Sequence, residues 1–212
     1  GNGLVSIDGI LQILSTRCPS FFGKSEMRLY AGMELLERAN RSRTVNSRID
    51  YEQSLSSGIA SLVQSAGSMT FTAFERFCKQ QLWEEMSSVQ GIVELTAAYA
   101  QAVDPENMAL LCYQHPTVVN TMEPRVADCV NQREQCYGVF LTCVSTALQS
   151  DQIVNVLKQS ASSTDELLQV RLFDFMRSMG MTGLLLECMI ESPYMESYLL
   201  LHFTPGVASD SS

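Results

Sequence analysis

The chain has 212 residues, 14 of them basic and 23 acidic, for a formal charge of -9 and a pI near 4.7. A hydrophobic share of 46% against 17% charged residues is too apolar for disorder and sufficient for a packed core, and the acidic balance lacks the positive footprint of a nucleic-acid binder. Residues 53–74 are uncharged and long enough to span a bilayer, but Ser, Gly and Gln fill them, so no transmembrane helix is expected.

Gly1-Asn2-Gly3 reads as a cloning remnant ahead of a fragment of a longer protein, with no signal peptide. Leu4, Ile7, Leu11 and Leu14 form the stripe of a first helix that Cys18-Pro19 ends, because the residue before proline is pushed out of the α region. Ser25 is the expected cap of a second helix carrying Leu29, Met33 and Leu36, closed by the polar run from Asn40 to Thr44. A third helix is expected from about Val45 to Ala66. Thr70 should cap a fourth, whose aromatic face of Phe71, Phe74, Phe77 and Cys78 continues towards Trp83, and Ser87 or Ser88 a fifth with Ile92, Leu95 and Tyr99.

Asp104-Pro105-Glu106 is a start signal with Pro105 at the first helical position, and that short sixth helix ends near Gln114. His115 to Pro124 reads as the main loop, and Arg125 to Gln149 as the longest helix. Ser150 or Asp151 opens the next, with Ile153, Val154 and Leu157, and Ser163 with Glu166 matches a capping box for a helix stopped at Gly180. Leu184 to Ile190 and Tyr194 to Phe203 complete the series. The expected fold is therefore all-α, about ten to eleven helices stacked as antiparallel pairs, with an irregular α-solenoid and a bundle as the two candidates. It is read as one segment over 1–203, with 204–212 a frayed tail. A bundle satisfies the periodicity equally.

Seven cysteines scattered through apolar segments fit a reducing compartment, cytosol or nucleus. Cys129, Cys136 and Cys143 share nearly one helical face, but zinc sites use closer pairs, so they are assigned to the core and no metal is expected. Cys112 and His115 lie close enough in sequence to suggest a thiolate nucleophile, without any catalytic signature around them. Glu84, Glu85 and Glu94 are assigned to exposed faces. No catalytic residue and no cofactor are expected, and the chain is not read as an enzyme. Arg38, Arg41, Arg43 and Arg48 gather at one helix boundary and read as a solvated link between helices.

Beyond Arg177 there is no Lys or Arg, and Leu184-Leu185-Leu186, Met189-Ile190 and Leu199-Leu200-Leu201 supply apolar surface on which further helices could stack. Leu199, Leu200, Leu201 and Phe203 are the candidate partner-binding residues.

Three stretches, in order, resemble the large non-repetitive nucleoporins of the nuclear-pore inner ring, the one-fifty-five/one-seventy family. The first is Arg17-Cys18-Pro19-Ser20-Phe21-Phe22 with Tyr30, Gly32, Glu34-Leu35-Leu36 and Ala39, then Tyr51 and Ser54-Leu55. The second is Gly91-Ile92-Val93-Glu94-Leu95 with Ala97-Ala98 and Asp104-Pro105. The third is Arg133-Glu134-Gln135-Cys136-Tyr137, then Asp165-Glu166-Leu167-Leu168, Phe173 and Phe175. Gln149 to Ser163 is shorter than the polar insertion of other members, which marks a divergent one.

The resemblance implies a middle-to-late solenoid fragment, without the family's N-terminal β-propeller, acting as a scaffold in the nuclear pore complex at the nuclear envelope. It implies other nucleoporins as partners, especially flexible linker nucleoporins held through short segments. No direct nucleic-acid contact is expected, and no membrane contact, which in the family belongs mainly to the propeller. Pro19, the phenylalanines and Gly91 are read as joint residues, Gly91 permitting close helix approach. The alternatives are a helical coat or tethering solenoid of vesicle traffic, and a cysteine-dependent enzyme using Cys112.

Overall fold

The computed structural model describes residues 23–44, 47–115, 123–148 and 152–189, with Gly9, Ile13, Thr16 and Arg17, and every regular element among them is helical. The expected end of the first helix at Pro19, the main loop's interior, the helix from Tyr194 and the tail lie outside the described residues. So do the candidate partner residues Leu199, Leu200, Leu201 and Phe203. The chain divides into two compact units, Gly1–Cys143 and Val144–Ser212.

In the first unit, the helical residues Gly9, Ile13, Thr16 and Arg17 are followed by α1, Lys24–Thr44, and α2, Arg48–Gln64, which pack on each other. Ser25 is not a cap: α1 already includes Lys24, and the Gly23 carbonyl accepts the Met27 amide at 3.1 Å, so the helix starts two residues earlier than expected. The polar run from Asn40 is itself helical, continuing α1 past the fully buried Ala39 to Thr44. α2 is trimmed at both ends relative to the expected helix, and a 3-10 turn, Ala66–Ser68, takes over after Ser65.

Thr70 caps α3, Phe71–Arg76, its hydroxyl accepting the Ala73 amide at 3.3 Å. From Phe77 to Glu85 the helix continues as a π-helix, which periodicity read as ordinary α-helix. The looser winding still buries Phe77, Cys78 and Leu82. It ends where Ser87 takes a left-handed φ of 52°, a conformation that costs an L-residue roughly 1 kcal/mol. Ser88 then caps α4, Val89–Val103, by accepting the Gly91 amide at 3.2 Å. Buried Ile92, Leu95 and Tyr99 face inward as expected, with the Tyr99 ring stacked on Phe74 at 4.4 Å.

Two further helices complete this unit's sequence. Pro105 does not start α5, Met108–Gln114; Pro105 and Glu106 form a turn, and Asn107 is left-handed at φ 54°. α6, Pro124–Ala147, is the longest described helix and places Pro124 at its first position, where a missing amide hydrogen costs nothing. The division into units falls inside it, between Cys143 and Val144.

The second unit holds α7, Gln152–Ala161, α8, Glu166–Ser178, and α9, Thr182–Met189, packed mutually. Asp165, not Ser163, caps α8: its carboxylate accepts the Leu168 amide at 3.2 Å, while the Ser163 hydroxyl accepts the Asp165 amide. Buried Gln169 reaches back to the Ala161 and Ser163 carbonyls, at 3.4 and 2.7 Å, and so ties the α7–α8 link. α8 buries Leu167, Leu168, Val170, Leu172, Phe173 and Met176, and beyond it Gly180 adopts the positive φ of 73° that stops a helix.

Candidate functional site

Two kinds of helix joint account for many of the residues singled out in the sequence. In the α1–α2 crossing two glycines face each other. A Cβ added to Gly32 would stand 3.3 Å from the Gly58 carbonyl oxygen, and one added to Gly58 would stand 3.3 Å from that of Gly32 and 2.9 Å from a Leu36 methyl. Glycine is therefore needed at both positions for close backbone approach, with Leu36, Ala39 and Leu62 sealing the contact. Gly91 repeats the device where α4 meets α2 and the π-helix: a Cβ there would lie 3.0 Å from Ile59 and 3.1 Å from Leu82.

The other joint is polar. Arg133 on α6 and Asp104 after α4 are 2% and 1% exposed and form an ion pair at 3.0 Å. The guanidinium also donates to the Tyr137 hydroxyl at 2.5 Å and to the Asn107 side-chain oxygen at 2.8 Å. The Asp104 carboxylate accepts the Met108 and Ala109 amides at 2.9 Å each, which moves the start of α5 past Pro105. A buried charge is tolerated only when paired and hydrogen-bonded, and both members of this pair meet that condition. Arg133 lies four residues from Cys129 and from Tyr137, so its place on the buried face was marked by helical spacing. Its pairing with Asp104 was not.

Cys136 and Cys143 are buried and Cys129 is half-buried, in line with a core role. Burial pushes the Cys143 thiol up to about 11 and the Cys78 thiol well above its usual range. Cys112 is buried on α5; burial, followed by the Asp104 carboxylate, raises its thiol, opposite to what a nucleophilic thiolate needs, while His115 is exposed. Among the described residues no group of three or more His, Cys, Asp or Glu could hold a metal ion, and no helix is long and apolar enough to cross a membrane.

Among the described residues, two of the surface depressions were not revealed by the sequence. Exposed Arg43 and Arg48, with Ser42, Ser47 and Tyr51, line one at the α1–α2 corner. There Arg43 donates to the Glu85 carbonyl, Asn40 to the Glu85 carboxylate at 3.4 Å, and Arg48 pairs with Glu52 at 2.8 Å. The arginines thus serve local carboxylates and carbonyls. The other depression is a groove between α2 and α4, floored by Leu55 and Ile59 and rimmed by Glu52 and Glu94.

Residues 4–203 match the profile of a family described as non-repetitive/WGA-negative nucleoporin C-terminal. A probable nucleoporin of Schizosaccharomyces pombe is 26% identical over 200 residues, covering 92% of this chain and 14% of its own length. The chain therefore spans about a seventh of that curated relative. The crystal structure of Chaetomium thermophilum Nup170 SOL superposes with a TM-score of 0.71 at 22% identity, over 92% of this chain and 26% of that one. That likeness is one of fold: the same all-helical solenoid architecture.

Proposed function

The chain belongs to the non-repetitive/WGA-negative nucleoporin C-terminal family, and from that premise we propose that it is a solenoid segment of a structural scaffold in the nuclear-pore inner ring. It resides at the nuclear envelope and supports nucleocytoplasmic transport by holding other nucleoporins in place. The observation that carries this reading is the family match over residues 4–203. The joints agree with it: of the residues that sequence marked as distinctive, Gly32, Gly91 and Arg133 fix helices to one another, Tyr137 supports the Arg133 guanidinium, and Asp165 caps α8.

Function on this reading is binding without chemistry. Paired helices present a long surface, and a few apolar or aromatic anchors supply most of the affinity for partner segments. Residues 1–203 act as one piece of the parent's solenoid, and the apolar run of Leu199, Leu200, Leu201 and Phe203 offers stacking surface to neighbouring helices or nucleoporins. Flexible linker nucleoporins, held through short segments, are the proposed main partners. A pull-down from nuclear-envelope extract with the purified chain tests this. Other nucleoporins, linker nucleoporins among them, are the expected catch, and recovery of vesicle-coat subunits alone would contradict it.

A further inference from the structure

We propose that the groove between α2 and α4 docks a short extended segment of a protein partner, in which one apolar side chain is flanked by lysine or arginine. The proposal rests on the scaffold reading only for the partner being a protein. The groove encloses about 210 Å³. That is below the range of roughly 300–1,000 Å³ typical of small-molecule sites, and it suits the anchoring of a side chain from a longer ligand.

Its floor and rim have different chemistry. Leu55 is half-buried and Ile59 buried, so the floor is aliphatic. Gly91 lies beneath: a Cβ there would meet the Ser88 hydroxyl at 2.9 Å and Ile59 at 3.0 Å, so its absence lets these lining residues keep their positions. Above the floor stand Glu52 on α2 and Glu94 on α4. Val89, Gly91, Ile92, Val93, Leu95 and Thr96 are all buried on α4, whereas Gln90 and Glu94 are exposed on the groove side and serve no packing.

The charges there are available. Glu94 accepts a 2.7 Å hydrogen bond from neutral Gln90, which leaves its charge uncompensated in that pair. Glu52 is paired with Arg48, whose side chain is 88% exposed, and such surface pairs contribute little and exchange readily. Beyond residue 48 the chain has 7 basic and 19 acidic residues, so the wider field also attracts a cationic segment. Ser56, Ser88 and Gln90 add hydrogen-bonding groups that can meet the peptide backbone, which favours an extended segment over a helix whose backbone bonds are already used.

The test is fluorescence anisotropy with the 212-residue chain and a labelled glycine–serine peptide of about nine residues, bearing a central leucine flanked by two arginines and two lysines. One control replaces the four basic residues by glutamate, and another replaces the leucine by glycine. Saturable binding of the basic peptide is expected, with both controls weaker by roughly ten-fold or more. Glu94→Lys should lower its affinity and admit the glutamate peptide, and Ser56→Trp should block the groove. Neither position is buried, and unchanged thermal melting verifies the fold of each variant.

Absence of saturable binding, equal binding of the acidic peptide, or full affinity in both variants would overturn the proposal. The scaffold reading fails separately, if the parent protein is absent from the nuclear rim. A parent at the rim with an inert groove would therefore leave the scaffold and remove the docking site.

Discussion

The α1–α2 crossing and the Asp104–Arg133 joint hold helices together by opposite means. The crossing is apolar and works by removing atoms: Gly32 and Gly58 let two backbones approach, and Leu36 and Leu62 close the contact. The polar joint works by adding charge, then satisfying it, with Tyr137, Asn107 and two α5 amides completing the arrangement. The first tolerates no extra carbon, whereas the second tolerates no missing partner. A solenoid segment that must keep its shape can use both, and each should fail in its own way.

Arg133→Ala should do the greatest damage, because it strands the buried Asp104 charge; a loss of about 3–5 kcal/mol in urea denaturation is expected. Combining Arg133→Met with Asp104→Asn should recover much of that loss, since the amide oxygen can still accept the Met108 or Ala109 amide. A double variant as unstable as the single one would show that charge pairing is not what matters at this joint.

Alkaline titration probes the buried thiols, among them Cys143 on α6. The Cys143 thiol is raised from 9.0 to about 11 in the fold by burial, so the folded state holds its proton where the unfolded chain has lost it. Stability from this group is complete below about pH 9 and disappears as the pH rises towards 11, a decline of roughly 2–3 kcal/mol that Cys143→Ala should remove, leaving the part owed to Cys78 and Cys112.

At the crossing, Gly58→Ala should cost about 1–2 kcal/mol in the same denaturation assay, as Leu36 must yield to the new methyl. Gly138 on α6 is the contrasting site: it is exposed, and a Cβ there meets nothing within 4 Å. Gly138→Ala should stabilise by about 0.5–1 kcal/mol. Equal effects of the two substitutions would remove the close-approach explanation for Gly58.

The helices were legible because their stripes and caps are local. Thr70 and Ser88 cap the helices whose starts they were expected to mark, and Ile92, Leu95 and Tyr99 occupy the inward face that their spacing indicated. The errors came where a distant group decides a local question. Pro105 carries a strong helix-start signal, but Asp104 is held by Arg133, 29 residues away, and caps α5 further along. Ser163 and Glu166 fit a capping box, yet the Asp165 carboxylate caps α8 by accepting the Leu168 amide, while Ser163 accepts the Asp165 amide. The π-helix leaves almost no trace in an apolar pattern that α-winding satisfies as well. The α2–α4 groove needs two helices to meet, so neither helix's sequence contains it.

Imaging the endogenous parent protein, with an antibody raised against this chain, tests the central claim most directly. A punctate nuclear rim is the predicted result. Staining of cytoplasmic vesicles, or a diffuse cytosolic signal with no rim, would contradict a nuclear-pore scaffold.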